Sequence, residues 1–286
     1  MSKKAVVLEG GALRCLFTAG VMDTFLKEGM TADGLFGVSA GALTGTDAVA
    51  NQPGRTAKVN LGFVNDKRYL GVGNLLRRKG IFNFDFLFGE VCDTLVPFDR
   101  EAFFSSPMEF TAVATNCLTG EPVYCEKNHC EDIYAAIRAS ASMPLLSPMV
   151  QVEGVPCLDG GVSVSIPYQK AIDEGYDKIL VVTTREHGYR KSPVPRSAAK
   201  LYARFYRKYP ALVRGILNVP RRYGKELDEI DKLEAAGKIF VIRPPKPVDV
   251  SRTEKDVEKL QALYDGGCET FRQKLEAFRR YWEEED

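Results

Sequence analysis

Short apolar runs alternate with helical periodicities along the chain. Lys4 to Leu8 is an apolar run stopped by Gly10-Gly11, which predicts a buried strand. From there Leu13, Leu16, Phe17, Val21, Phe25 and Leu26 recur at helical spacing until Gly29 ends the pattern. Gly34 to Val38 reads as a second strand, and Ala40 to Ala50, small and apolar, as a helix packed closely on a sheet. Strand, helix, strand, sharp turn, helix opens a parallel α/β layer with right-handed crossovers. Farther on, Glu109 to Thr115 and Pro122 to Tyr124 form a hairpin pattern about Gly120, and Cys130 to Ala141 is a helix ended by Met143-Pro144. Gln151 to Leu158 returns as a strand, while Ile179 to Thr184 and Lys238 to Ile242 have the apolar character of parallel core strands. The expected fold is a three-layer α/β/α arrangement with a mostly parallel central sheet, in a single domain spanning 1–286.

Three stretches are less regular. FNFDFLFGEV sets Phe82, Phe84, Phe86 and Phe88 on alternate positions, a pattern shared by a core strand and a ligand-facing loop. Between His187 and Lys225 there is no Asp or Glu, whereas Arg190, Lys191, Arg196, Lys200, Arg204, Arg207, Lys208, Arg214, Arg221, Arg222 and Lys225 all fall there. Tyr189, Tyr202, Phe205, Tyr206, Tyr209 and Tyr223 are interleaved with these cations. This basic helical segment, at about 187–236, is either a face for anionic lipid or a solvated cap with its aromatic rings turned inward. The C-terminal stretch, 251–286, reads as helices with a break at Gly266-Gly267.

The local bias matters because the whole chain has none: 39 basic and 38 acidic side chains leave a net charge of +1, so no global field marks a nucleic-acid binder. With 286 residues, 45% of them hydrophobic, a substantial core can form. The seven cysteines are odd in number and scattered, which suits reduced thiols in a cytoplasm better than a disulfide framework. Cys125, His129 and Cys130 lack a second pair at zinc-ligand spacing, and no cluster of oxygen ligands points to calcium; no metal and no cofactor is expected. The apolar run after Lys3-Lys4 is too short for a signal-peptide core, and no stretch approaches the roughly 18 apolar residues of a membrane span. The expected location is cytoplasmic, with peripheral contact to an anionic membrane through residues 189–225 left open.

The candidate chemistry lies at three turns. In GVSAG, Ser39 stands between Gly37 and Gly41 where a strand gives way to a helix, a position that can hold a hydroxyl out over a sheet edge. Such small-residue turns also serve packing alone. In EGGALR, Gly10, Gly11 and Ala12 keep the turn before the first helix bare, so a substrate oxygen can approach its free amides; an oxyanion donor there is worth about 3 to 4 kcal/mol. The competing reading, a nucleotide-phosphate loop, lacks both glycine signatures of that class. In LDGGVSVSIP, Asp159 ends a strand and is followed by Gly160-Gly161; it can take a proton from Ser39 if it lies within about 2.6–3.2 Å. A histidine base would have to be His129 or His187.

GGALR, GVSAG and DGG, in this order, resemble the patatin-like phospholipase family, whose members hydrolyse acyl esters of lipids with a serine-aspartate dyad. AIRASASMPLLSP, residues 136–148, resembles the segment before that family's D-G-G, and TEKDVEKLQALYDGG, residues 253–267, a C-terminal segment of its bacterial branch. The resemblance implies Ser39 as nucleophile, Asp159 as base, and Gly10, Gly11 and Ala12 as the oxyanion loop, with Arg14 at the family's basic position. The chain departs from the pattern at Ala12 and Cys15, where relatives carry glycine, and at Ser165, where many carry asparagine. The order of elements differs from an ordinary α/β-hydrolase, in which several strands precede the serine.

The implied function is a serine acyl hydrolase of lipid esters, of phospholipase A or lysophospholipase type, with no cofactor. A soluble esterase or thioesterase with a histidine triad, a non-catalytic lipid-binding protein, and, more remotely, an RNA binder using the basic segment remain as alternatives.

Overall fold

The structure is a computed structural model that describes residues 2–283. Its strands are β1 (Lys4–Leu8), β2 (Gly34–Val38), β3 (Glu109–Asn116), β4 (Pro122–Glu126), β5 (Val150–Val152), β6 (Val155–Asp159), β7 (Lys178–Val182) and β8 (Phe240–Ile242). The helices are α1 (Cys15–Lys27), α2 (Ala40–Val49), α3 (Arg55–Phe63), α4 (Val72–Leu76), α5 (Phe84–Phe86), α6 (Arg100–Ser105), α7 (Ile133–Ser140), α8 (Tyr168–Asp173), α9 (Arg196–Phe205), α10 (Pro210–Ala235) and α11 (Val257–Glu283). All strands join one sheet in the order β5-β6-β3-β2-β1-β7-β8, with β4 attached to β3. The run β3-β2-β1-β7-β8 is parallel, and β4, β5 and β6 are antiparallel additions.

Alternation along the strands divides the core between two faces. Val6 and Leu8 of β1 pack with Phe17, Val21 and Phe25 of α1 and with Phe271, Phe278 and Trp282 of α11. Ala5 and Val7 point the other way, toward Tyr168 of α8 and Tyr223, Leu227 and Ile230 of α10. Helices therefore cover both faces of the sheet.

Several sequence expectations need correction. Gln151 to Leu158 is a two-stranded hairpin, not one strand, because Glu153 and Gly154 both take positive φ and turn the chain. FNFDFLFGEV is neither strand nor loop: Asn83 caps α5 by accepting the Phe86 N–H at 3.4 Å, and a π-helical stretch, Leu87–Leu95, follows. Of the basic segment, 187–195 is not helical, and α9 and α10 begin after it. Finally, α11 runs unbroken through Gly266-Gly267. Gly267 is instead a crossing point, where a Cβ would overlap the Phe17 carbonyl oxygen, and Gly20 of α1 meets the Tyr264 carbonyl in the same way.

Candidate active site

β3 brings the site together. β4 fills one edge of β3 from Thr111 to Thr115, so β2 and β6 share the other edge end to end. Val38 lies opposite Val113 and Asp159 opposite Ala114, which puts the residue after β2 and the last residue of β6 side by side. The Ser39 hydroxyl donates to Asp159 Oδ2 at 2.8 Å, and both residues are buried.

The geometry of each partner is enforced by its surroundings. Ser39 has φ 57° and ψ −126°, a conformation costly for a residue with a Cβ and maintained only where the surroundings over-determine it. Its amide donates to Ser140 Oγ at 2.8 Å, and that hydroxyl donates to the Val113 carbonyl at 2.6 Å, tying the elbow to α7 and β3. The flanking glycines are demanded by close approach: a Cβ on Gly41 would stand 2.6 Å from the Leu8 carbonyl oxygen, one on Gly37 would stand 2.6 Å from Ala42 Cα, and one on Gly10 would stand 2.8 Å from Ser39 Cβ. On the other side, Asp159 Oδ1 accepts the Gly161 N–H at 2.8 Å, its amide donates to the Ser142 carbonyl at 2.8 Å, and its carbonyl accepts from Thr115 Oγ1 at 2.8 Å. Gly160 packs against the Val113 carbonyl with no room for a side chain. Burial pushes the Asp159 carboxyl above the usual carboxylate range, against the opposing pull of the Gly161 N–H, the Ser39 hydroxyl and the cations of Arg252 and Lys191. A carboxyl raised in this way is a stronger base than a free aspartate.

The Gly10-Gly11-Ala12 turn lines the cavity beside Ser39, and among the described residues no protein acceptor engages the amide of Gly11 or Ala12. Ala12 has φ 50°, the left-handed conformation that favours glycine, which is the residue the resemblance expects there. Arg14 lines the same cavity. Ser165 makes no contact with Asp159; its hydroxyl lies 3.5 Å from Lys191 Nζ. His129 and His187 line neither cavity, are 74% and 71% exposed, and pair with Glu126 and Asp231. The structure thus offers Ser39 no histidine.

Two cavities meet at Ser39. The first, about 260 Å³, is apolar and walled by Leu16, Leu43, Phe82, Phe84, Phe88 and Met143. The alternating phenylalanines thus divide between ligand cavity and core, with Phe86 packed inside. At its polar margin, Asp47 and Arg55 form a buried ion pair at 2.7 Å. The second, about 660 Å³, holds Asp159 and the glycine turn and is lined by Arg185, Lys191 and Arg252 as well as Arg14.

Residues 6–172 match the family described as Patatin-like phospholipase, which is more than half of the chain. The chain belongs to the patatin-like phospholipase family. Membership implies lipid acyl hydrolysis in general. A second match, a domain of unknown function (DUF6363), covers residues 209–283 of this patatin-like chain. Among similar proteins, the uncharacterized protein YjjU of Escherichia coli is 28% identical over 251 residues, covering 85% of this chain and 69% of YjjU. The uncharacterized NTE family protein Rv1063c of Mycobacterium tuberculosis is 25% identical over 210 residues; the match takes in 73% of this chain and 57% of the mycobacterial protein. The crystal structure of VipD from Legionella pneumophila aligns with a TM-score of 0.49 at 10% identity, over 96% of this chain and 67% of VipD.

The sequence motifs mark Ser39, Asp159 and the glycine turn of the patatin-like site, but not the residues that hold them. Ser140, Ser142 and Thr115 act through single hydrogen bonds to the backbone of Ser39 or Asp159. Only the quoted segment 136–148 pointed toward two of them. Glu9, 2% exposed, accepts the Thr184 N–H at 2.6 Å and anchors the start of the glycine turn to the end of β7; no periodicity marks it.

Among the described residues no group of His, Cys, Asp and Glu is arranged to hold a metal ion, and no helix is long and apolar enough to cross a membrane.

Proposed function

We propose that the protein hydrolyses acyl esters of lipids, as a phospholipase A or lysophospholipase, through a Ser39-Asp159 dyad. The observation that carries this reading is the 2.8 Å hydrogen bond from the strained Ser39 to a buried, basicity-raised carboxylate at the mouth of an apolar cavity. The acyl chain lies in that cavity, among Phe82, Phe84 and Phe88. Ser39 Oγ attacks the ester carbonyl while Asp159 takes the hydroxyl proton, and the oxyanion is met by the amides of Gly11 and Ala12. Asp159 then gives the proton to the departing alcohol oxygen, and water activated by the same carboxylate releases the fatty acid. A fluorophosphonate probe should label wild-type protein at Ser39 by peptide mapping and leave Ser39→Ala unlabelled. Hydrolysis of p-nitrophenyl butyrate that persisted in Ser39→Ala would refute the dyad.

A second part of the proposal concerns where the substrate is met. On α9, Leu201 and Phe205 are 52% and 66% exposed and stand among exposed Arg196, Lys200 and Arg204; α10 adds Leu217, 41% exposed, between exposed Arg214 and Arg221. Apolar tips ringed by cations suit peripheral contact with an anionic membrane, each cation contributing about 1 kcal/mol near the surface. The tyrosines of the segment do not join this face: Tyr206 and Tyr223 are buried, and Tyr189, Tyr202 and Tyr209 are half-buried.

A further inference from the structure

The apolar cavity takes the acyl chain, and the chemistry assigns the other cavity to the leaving group. Asp159 must hand its proton to the departing alcohol oxygen, so that alcohol lies on the Asp159 side of Ser39, in the larger cavity. Four cations line it, Arg14, Arg185, Lys191 and Arg252, against two carboxylates, Glu9 and Asp159. Glu9 accepts the Thr184 amide and Asp159 accepts the Ser39 hydroxyl and the Gly161 amide, and with both ionised the lining still carries two more cations than carboxylates.

The cations form no close ion pair among the described residues. Among the described residues neither Arg14 nor Arg252 has an ion pair or a hydrogen-bond acceptor; Arg252 is exposed to solvent, whereas the Nε of Arg14 is shut away from it unpaired. Arg185 gives one N–H to the Val248 carbonyl at 2.8 Å and lies 4.5 Å over the Tyr189 ring. Lys191 sits 3.7 Å over the Tyr223 ring, and its one acceptor among the described residues is Ser165 Oγ, at a long 3.5 Å. An enclosed guanidinium without a partner is unfavourable, and an anionic ligand would complete it. Burial pulls the Arg14 and Lys191 groups below their ordinary ranges; repulsion from Arg185 and Arg252 adds to it at Arg14 and from Arg252 at Lys191, while Glu9 opposes the shift at both and Glu226 and Asp159 oppose it at Lys191.

We propose that this cavity receives the phosphate of the leaving group, so that the substrate class is an acidic glycerophospholipid, with a net negative head group, in preference to a zwitterionic choline ester. This rests on the Ser39-Asp159 reading and deepens it. A quaternary ammonium would meet four like charges, and the face of Tyr189 that would otherwise greet it is covered by Arg185. In the step itself, the Ser39 Oγ to acyl carbon bond forms as the acyl carbon to glycerol oxygen bond breaks. The serine proton passes through Asp159 to that oxygen, and the lysophospholipid leaves with its phosphate against the guanidinium groups. Water then cleaves the acyl-serine and returns the proton to Ser39.

Dihexanoyl esters kept below their micelle concentration test this without involving the outer basic face. Since charge-assisted contacts are worth about 1.5–3 kcal/mol, kcat/KM for dihexanoyl phosphatidic acid and phosphatidylglycerol should exceed that for dihexanoyl phosphatidylcholine by about tenfold or more. Arg252→Gln and Lys191→Gln should each lower this ratio by about threefold or more. A wild-type ratio of one or less, or a ratio unmoved in both variants, overturns the proposal. A second readout does not need hydrolysis: sn-glycerol 3-phosphate at about 10 mM, and not glycerol, should raise the Tm of wild type and do so less in Arg252→Gln. No shift in wild type overturns the anion site. A Tm response to inorganic phosphate together with a substrate ratio near one makes it a site for free anions and overturns the substrate class. If wild type cleaves no ester and resists the fluorophosphonate, the dyad fails on its own, while the glycerol 3-phosphate measurement still decides the cavity.

Discussion

Gly266 and Gly267 are adjacent in α11, yet replacing each with alanine should change stability in opposite directions. A glycine inside a helix costs about 0.8–1.0 kcal/mol relative to alanine, so propensity alone makes both substitutions stabilising by that amount. At Gly266 nothing lies within 4 Å of an added Cβ, and the full gain should appear. At Gly267 the same atom would overlap the Phe17 carbonyl oxygen and lie 3.0 Å from its carbonyl carbon. The obstacle is helix backbone, so relief requires α1 and α11 to separate, loosening the packing of Phe25 against Phe271, Phe278 and Trp282, whose ring centroids lie 6.0 to 6.2 Å away. Overpacking of this kind costs about 1–3 kcal/mol or more, which outweighs the propensity gain. Urea unfolding should therefore show Gly266→Ala more stable by up to about 1 kcal/mol, and Gly267→Ala less stable by about 1–2 kcal/mol. Equal gains would mean that the crossing is looser than the structure has it, and equal losses that α11 does break at this pair.

Two further outcomes test the site. Asp159 must be ionised to act as base, so kcat/KM should fall in acid with an apparent pKa above the roughly 3.9 of a free aspartate, and Asp159→Asn should lose about 10²- to 10⁴-fold. A carboxyl raised on folding contributes stability that is present below its unfolded pKa and lost as pH rises through its folded one, so the Tm of Asp159→Asn should gain on wild type from pH 4 to pH 8, and a relative loss over that range would count against it. For the outer face, replacing Arg196, Lys200 and Arg204 by Gln should weaken co-sedimentation with phosphatidylglycerol-containing vesicles by about tenfold or more, and binding that ignores either lipid charge or these residues would remove the membrane contact.

The opening of the fold was legible because its elements are deeply buried: β1 and β2 read as short continuous apolar runs, and the apolar spacing of α1 marks a helix. Ser39, Asp159 and the glycine turn were legible for another reason, since a sharp elbow and a close backbone crossing each need small residues at fixed offsets. What stayed hidden depends on contacts between distant segments. The phenylalanines at 82, 84, 86 and 88 follow a strand's period, but Asn83 caps a helix and the π-helical turn after it changes the register, so rings from one short run reach both core and cavity. A glycine pair in a helical pattern reads as a stop until the partner backbone is known.

The division of Ser39's surroundings into an apolar and a cationic cavity follows from topology more than from any motif. β3 places the elbow and Asp159 next to each other on one edge, so the two bonds of the ester that flank the carbonyl must point to opposite sides of that meeting point. Segment 55–98, inserted between α2 and β3, joins α1, α2 and α7 in walling the apolar side, whereas the charged lining of the cationic side comes from Arg14, the loop after β7 and Arg252. Arg185 and Lys191 lie six residues apart in the loop after β7, whereas Arg252 comes from a distant stretch of mixed charge. Glu9 bonds the Thr184 amide and so helps set the direction in which the chain carrying Arg185 and Lys191 leaves β7. On the proposed reading, acyl-chain and head-group selectivity rest on different cavities, and substitutions around Phe82 to Phe88 should alter the first without the second.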